Sequence, residues 1–326
     1  MCIGAWPKDA GIDMVEEELN DVIECREGVK DVRQVIYKYF DGCYDPGRRY
    51  IICIQGATSS GKSTFAKSIH RMLSDNGISS YILPLDAFYF DSFNSDPAAS
   101  VSFNEEYDFD NPASLNWKNV FDVLKAIRDE EPYIGYSLYC KENGIAEVRY
   151  DKNPKPRVLI IEGIFAFNTI NEKIFNIAEF DPCNSNKDIE EEFIDRKMGM
   201  GDFRVLKVFM GHCASKILSV RLKRDLAIGR NKDKVLNKFF AMTLPSTLRW
   251  IYSPIYSGFI KIVHGNFNAK KANMVLDELG QYFLNKKVAI PDAKEVNFVG
   301  EGEVECTGEC ITCGGAPEIC LYDSEA

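Results

Sequence analysis

Apolar positions along the chain fall into two periods. Over residues 12–40 they recur at helical spacing, as Val15, Leu19, Val22 and Ile23 and then Val32, Val35, Ile36 and Phe40. Gly42 and Asp45-Pro46-Gly47 then break the chain, which predicts an N-terminal helical extension before the first strand. That strand is the apolar run Tyr50-Ile51-Ile52-Cys53-Ile54. Helical spacing resumes with Phe65, Ile69, Met72 and Leu73, and Asn76-Gly77 marks the stop. A second strand is read from Ser80 to Leu85, ending at Asp86, and a third at Val158-Leu159-Ile160-Ile161. The third is continuously β-branched or leucine, the pattern of a parallel strand covered on both faces. Val205–Met210 and Phe259–Val263 supply a fourth and a fifth.

Strands that alternate with helices predict a doubly wound α/β sheet, whose chemistry collects at the carboxyl ends of the strands. Asp86, Glu162 and the glycine-rich segment after Ile54 all fall at such ends. Residues 183–204 are polar and charged and read as a surface insertion; no internal repeat is evident. Beyond Lys287 the chain turns acidic and glycine-rich, the composition of a poorly ordered tail. The expected organisation is a helical extension over 1–49, one α/β domain over 50–287, and an acidic, cysteine-rich tail over 288–326.

Composition narrows the class. The hydrophobic share is 45% and the charged share 27%, as in a soluble globular protein, and no apolar run reaches the roughly 18 residues a bilayer requires. The start, Met1-Cys2-Ile3-Gly4-Ala5-Trp6-Pro7-Lys8-Asp9, carries neither a basic segment nor a long apolar one, so a cytoplasmic location is expected. A net charge of −10 argues against nucleic acid as a partner, although much of it is local. From Asp292 onward nine acidic residues face Lys294 alone, which leaves the rest near neutral. The eleven cysteines read as intracellular thiols, clustered only at the C-terminus.

The segment Gly56-Ala57-Thr58-Ser59-Ser60-Gly61-Lys62-Ser63-Thr64 fits the phosphate-binding pattern G-x-x-x-x-G-K-[ST] in its required place, after a strand and before a helix. A polyphosphate needs many donors converging on one small anion. Glycine lets the loop turn its N–H groups inward, and the following helix presents its positive end. Lys62 adds a mobile cation at the β- and γ-phosphates, and Ser63 can supply a hydroxyl to Mg²⁺. Phosphoryl transfer further asks for a group to meet the attacking hydroxyl and for cations at the developing charge. Asp86 can orient and deprotonate an acceptor hydroxyl, hold the metal, or serve both ends; Glu162 sits where a second carboxylate would reach the metal. The cationic segment from Arg221 to Arg230, with Arg224 between, can close over a triphosphate.

With these stand Leu85-Asp86-Ala87-Phe88-Tyr89, Tyr107-Asp108-Phe109-Asp110-Asn111-Pro112 and Ile161-Glu162-Gly163-Ile164. Together the five motifs resemble, in order, those of the uridine kinase and phosphoribulokinase group of P-loop kinases, over about Tyr50 to Asn266. The resemblance implies a P-loop NTPase three-layer fold with a mostly parallel five-stranded sheet. It further implies ATP with Mg²⁺, and transfer of the γ-phosphate to a hydroxyl of a small acceptor, in the namesake enzymes the 5′-hydroxyl of uridine or cytidine. By position Asp86 resembles the catalytic base, Glu162 the second metal carboxylate, Asp110 the ribose-contacting aspartate of F-D-H-P, and Tyr89 the aromatic residue of D-S-F-Y. Arg221, Arg224 and Arg230 resemble lid cations. The chain departs from the pattern at Asn111, where the family has histidine, and at Ala87, where it has serine. The pyrimidine-reading segment corresponds only loosely to Gly135–Lys141, with Tyr136 as a pocket residue and no histidine nearby. Losing a base-reading partner weakens discrimination, so kinase chemistry is better supported than uridine specificity.

Cys306, Cys310, Cys313 and Cys320 leave three readings open: a Zn²⁺ or iron–sulfur site, reversible disulfide chemistry, or no function. They also carry the alternative to a kinase, a nucleotide-driven switch or metallochaperone. Against that alternative, Asn231-Lys232-Asp233-Lys234 has the wrong order for a guanine-reading N-K-x-D motif. A member that binds nucleotide without turnover is disfavoured by intact Lys62, Ser63, Asp86 and Glu162. Self-association is left open.

Overall fold

Alternate residues of the strand after the N-terminal extension bury into two different cores. Ile51 and Cys53 of β1 (Arg49–Gly56) join one apolar cluster, and Tyr50, Ile52 and Ile54 join another on the opposite face. A strand buried on both faces must be apolar throughout, which is why its side chains do not alternate with polar ones. The computed structural model describes residues 32–90, 107–139, 146–170, 202–212, 214–252, 259–263 and 269–284.

The remaining elements follow in chain order. They are α1 (Val32–Tyr39), α2 (Lys62–Asp75), β2 (Ser80–Pro84), α3 (Trp117–Arg128), β3 (Tyr133–Tyr139), β4 (Ala146–Lys152), β5 (Val158–Gly163) and β6 (Phe203–Gly211). After these come α4 (Ala214–Ala227), α5 (Lys232–Lys238), β7 (Phe259–Val263) and α6 (Ala269–Phe283). Five strands form one sheet in the order β2-β5-β1-β6-β7, and every pairing in it is parallel. Residues of α1, α2 and α6 pack on one face, and those of α3, α4 and α5 on the other, so the domain is a three-layer α/β structure. The chain leaves β1 through α2 to reach β2 and later returns to place β5 between them. The crevice at the carboxyl ends of β1 and β5 is therefore where a ligand belongs.

Helix α1 is pinned into the core by Val32, Val35 and Ile36. Just beyond it, Phe40 meets Tyr50 and Tyr282 at ring centroid distances of 5.0 and 5.1 Å. Arg33 clasps Glu278 of α6 through two hydrogen bonds, of 2.8 and 3.0 Å. The end of the N-terminal extension is thus part of the same layer as α6, while residues 1–31 of it lie outside the described residues.

Several boundaries differ from the sequence reading. Strand β2 stops at Pro84, and Leu85–Phe88 curls into a 3₁₀ turn, so Asp86 sits within that turn. Strand β5 runs on to Gly163 and carries Glu162 within it. Phe203 and Arg204, read as the close of a polar insertion, begin β6, because Phe203 is buried and pairs with Arg49. Residues 183–201 and the tail with Cys306, Cys310, Cys313 and Cys320 lie outside the described residues. The antiparallel hairpin β3–β4 was not foreseen; its exposed Tyr133, Val148 and Tyr150 hide the alternation that marks a half-buried strand.

Candidate functional site

Gly56 closes β1 where a side chain would be impossible: a Cβ there would lie 1.9 Å from the Met210 carbonyl oxygen of β6. This close approach lets the chain turn at once into the loop that precedes α2. The turn is completed by Ser59 at φ 59° and Gly61 at φ 87°, both in the left-handed region. The loop therefore curls over itself, and Lys62, almost fully buried, donates from Nζ to the Ala57 carbonyl at 2.6 Å. The hydroxyl oxygens of Ser59 and Ser60 are buried with no hydrogen-bond partner. Burying a hydroxyl unsatisfied carries a free-energy cost, and an anion seated in the loop would remove it. These features fit a polyphosphate.

The first turn of α2 places Ser63 so that its hydroxyl donates to Glu162 Oε1 at 3.0 Å. Two elements produce that contact: α2 starts directly after β1, and β5 pairs with β1 in the register Ile54 to Glu162. Glu162 is 5% exposed. On the far side of β5, Pro84 pairs with Glu162, and Gly163 admits the turn that follows β2. A Cβ on Gly163 would lie 2.6 Å from Leu85 Cβ, so only glycine allows Leu85 and its neighbour Asp86 to come this close to the end of β5. A hydroxyl and carboxylates are the hard oxygen donors that Mg²⁺ takes. Among the described residues no three His, Cys, Asp or Glu side chains cluster as a metal cage. Magnesium held largely by substrate phosphates needs no such cage, and Ser63, Glu162 and Asp86 fit that mode.

A second group of side chains forms one wall. Asp110 is buried, and Arg221 of α4 pairs with it at 3.8 Å while donating to Thr243 Oγ1 at 2.8 Å. Burial raises the Asp110 pKa, and the Arg221 charge only partly opposes it. Tyr89 is buried edge-on against Phe109 and Tyr139, at 5.2 and 5.8 Å. Its phenol is pushed up by burial first, then by the charges of Asp86, Asp110 and Asp108. Tyr136 lies on β3, donates its hydroxyl to Asp151 across the hairpin, and has its ring 6.4 Å from that of Phe88. Nothing ties Tyr136 directly to Asp110.

The three arginines read as one lid do not share one environment. All reach Asp225, which is 1% exposed: Arg224 at 2.8 Å, Arg230 at 3.2 Å and Arg221 at 3.7 Å. Burial alone would raise the Asp225 pKa, but the Arg224 hydrogen bond and the three cations outweigh it and hold the carboxyl below its ordinary value. Arg221 is buried between Asp225, Asp110 and Thr243, whereas the Arg224 and Arg230 side chains are each about half exposed, at 51%. Only the latter two have the freedom of a lid.

Sequence reasoning missed Asp225, Thr243, Asp108, Ser246 and Lys238, which complete the wall. A signal for the first was present, because Leu218, Arg221, Leu222 and Asp225 follow the i, i+3, i+4, i+7 spacing of one helix stripe and are all buried. A shallow depression lined by Pro132, Tyr133, Lys152 and Asn153 lies elsewhere. Asn153 bonds to Ala126 and Arg49 bonds to Arg128, so that depression sits at the opposite, amino-terminal end of β1.

A parallel sheet with a glycine-rich phosphate loop after its central strand, and a carboxylate on the neighbouring strand bonded to the loop serine, defines a P-loop kinase-type fold. The model of the Phosphoribulokinase / Uridine kinase family matches residues 51–181. A uridine kinase of Mannheimia succiniciproducens is 30% identical over 153 residues, which cover 43% of this chain and 68% of that one. The uridine kinase of Schizosaccharomyces pombe is 25% identical over 260 residues, 78% of this chain, and the chain spans about half of its length, 49%. A phosphoribulokinase structure from Rhodobacter spheroides aligns with a TM-score of 0.40 and 15% identity, over 63% of this chain and 66% of that one. The chain belongs to the phosphoribulokinase and uridine kinase family. No helix among the described residues is long and apolar enough to cross a membrane.

Proposed function

We propose that the chain is an ATP-dependent small-molecule kinase that transfers the γ-phosphoryl group to a hydroxyl, with a ribose-containing acceptor such as uridine or cytidine as the favoured class. The single observation that carries this reading is the Ser63–Glu162 hydrogen bond beside the phosphate loop. It brings a hydroxyl and a carboxylate together where the phosphates of a nucleotide would be cradled.

In this reading the loop from Gly56 to Thr64 binds the phosphates through its inward N–H groups and the hydroxyls of Ser59 and Ser60. Lys62 gives up its loop carbonyl for the β- and γ-phosphates. Ser63, Glu162 and Asp86 would hold Mg²⁺, which would supply charge neutralisation at the phosphates. Asp86 accepts the proton of the acceptor hydroxyl, and Asp110 binds a neighbouring hydroxyl of the acceptor. Arg224 and Arg230 exchange Asp225 for the transferring group, while Arg221 stays with Asp110. Tyr89 lines the acceptor wall, and Tyr136 lies on β3, whose Tyr139 packs against Tyr89. Relatives named as uridine kinases support the acceptor class. The absence of a histidine near Gly135–Lys141, the loose counterpart of the family's pyrimidine-reading segment, speaks for a pocket less committed to a pyrimidine.

The test is acceptor-dependent ADP release from ATP and Mg²⁺ with uridine, cytidine, ribose and glycerol, in the parent and in Asp86→Asn. The reading requires release with at least one acceptor, abolished by Asp86→Asn with ATP binding retained within a few-fold. An Asp86→Asn variant with unchanged turnover would reject the role given to that carboxylate.

A further inference from the structure

The wall behind Asp110 holds a second carboxylate that no step above uses. Asp108 Oδ1 accepts from the Asp110 backbone N–H at 3.1 Å, closing a tight turn that sets the conformation of Asp110. The same loop is stiffened by Asn111, whose side chain accepts from Ala113 N–H at 2.9 Å, and by Ser114, which donates to the Phe109 carbonyl at 3.0 Å. The other oxygen of Asp108 takes the hydroxyl of Ser246. Ser246 lies on the helical run that continues from α5 to Tyr252, and Lys238 at the end of α5 holds its ammonium 5.0 Å over the Phe109 ring.

The two aspartates therefore meet one helical arm at neighbouring positions, Thr243 and Ser246. Asp110 faces Arg221 and Thr243, and Asp108 faces Ser246 and Lys238. This arm follows directly on the segment of Arg224 and Arg230. Among the described residues, the charged or titratable groups that act on Asp108, Asp110 or Lys238 fall in a few elements. Asp110, Tyr107 and Tyr89 lie on the loop and the turn after β2, Lys238 lies at the end of α5, Arg221 lies on α4, Arg230 lies just before α5, and Lys62 acts on Asp110 from the phosphate loop.

We propose that Asp108 is a positioning residue of the acceptor site. It fixes Asp110 and, through Ser246, fastens the acceptor loop to the arm that follows the lid arginines, so that acceptor binding and lid closure move together. This inference rests on the kinase reading. Removal of Asp108 from water, added to the nearby Asp110 charge, raises its carboxyl pKa to about 7. The buried, fastened arrangement thus favours the protonated carboxyl, which can still accept from Ser246, so the fastening loosens as pH rises through that value.

The experiment is steady-state kinetics with ATP, Mg²⁺ and uridine, cytidine, ribose or glycerol, on the parent, Asp108→Ala, Asp108→Asn and Ser246→Ala. Amide hydrogen exchange over residues 107–111 and 239–252 is measured on the same proteins without acceptor. Asp108→Ala is expected to raise acceptor KM about tenfold with KM for ATP within about twofold. Asp108→Asn, which keeps an oxygen for the Asp110 N–H, is expected to stay within about threefold of the parent KM. It is also expected to lose the fall in acceptor kcat/KM that the parent shows through pH 7. Ser246→Ala is expected to speed exchange in both segments together. An acceptor KM untouched by Asp108→Ala, an ATP KM that rises equally, or exchange that changes in one segment alone overturns the inference and leaves the kinase reading standing. Absence of acceptor-dependent ADP release in the parent removes both.

Discussion

Replacing Gly163 by alanine tests how Asp86 is delivered to the end of β5. The added Cβ would stand 2.6 Å from Leu85 Cβ and 3.0 Å from its Cγ, whereas ordinary contact begins at 3.4 Å. Leu85 is buried at 1% exposure and cannot swing aside as a surface side chain would, so the turn of Leu85–Phe88 must retreat by about 0.8 Å. Asp86 moves with it. A displacement near 1 Å in a positioned group can reduce turnover by about 100-fold, so kcat is expected to fall roughly 30- to 100-fold. The phosphate loop is untouched, and ATP affinity is expected to stay within about threefold. Overpacking of this size costs about 1–3 kcal/mol, or roughly 3–9 °C in Tm for a domain of this length. Acceptor-dependent ADP release, calorimetric ATP binding and thermal melting read the three effects separately. A variant that keeps kcat within threefold while melting lower would refute the idea that this close approach sets the Asp86 position.

Two further outcomes follow from the wall. Asp225→Asn strips three arginines of their shared anion, and because Asp225 and Arg221 are both buried the loss is expected near 3 kcal/mol, whereas Arg224→Ala, at a half-exposed pair, costs under about 1 kcal/mol; chemical denaturation checks both. Asp108, with its pKa raised to about 7, binds a proton in the folded chain between about pH 4 and 7 that the unfolded chain releases, so its contribution to stability declines as pH rises across that window. Asp108→Asn is therefore expected to melt a few degrees above the parent at pH 8, with the gap closing toward pH 4; a gap independent of pH would contradict the burial of that carboxyl.

The layer plan was legible because a parallel sheet leaves a plain trace. Ile51 to Ile54 and Val158 to Ile161 read as buried strands since both of their faces are covered, and the loop signature fixes where the first strand must end. Element ends were less legible. Leu85 is as apolar as the strand before it, and only the tertiary contact with Gly163 decides that it turns into a 3₁₀ helix instead. Arg221 was read with Arg224 and Arg230 as one cationic run because charge says nothing of direction; the helix period, which puts Arg221 on the stripe of Leu218 and Leu222, separates them. The pairing of Asp108 with Ser246 spans 138 residues and has no local signature at all. The hairpin β3–β4 escaped notice because Tyr133 and Tyr150, aromatic yet exposed, look like core positions in the bare sequence.

The most direct measurement of the central claim is a crystal structure with Mg²⁺ and a non-hydrolysable ATP analogue. The β- and γ-phosphates are expected inside the turn from Gly56 to Thr64, accepting from Ser59 and Ser60, with the metal at the Ser63 hydroxyl and beside Glu162 and Asp86. An analogue bound there with its metal distant from Ser63 and from both carboxylates would contradict it.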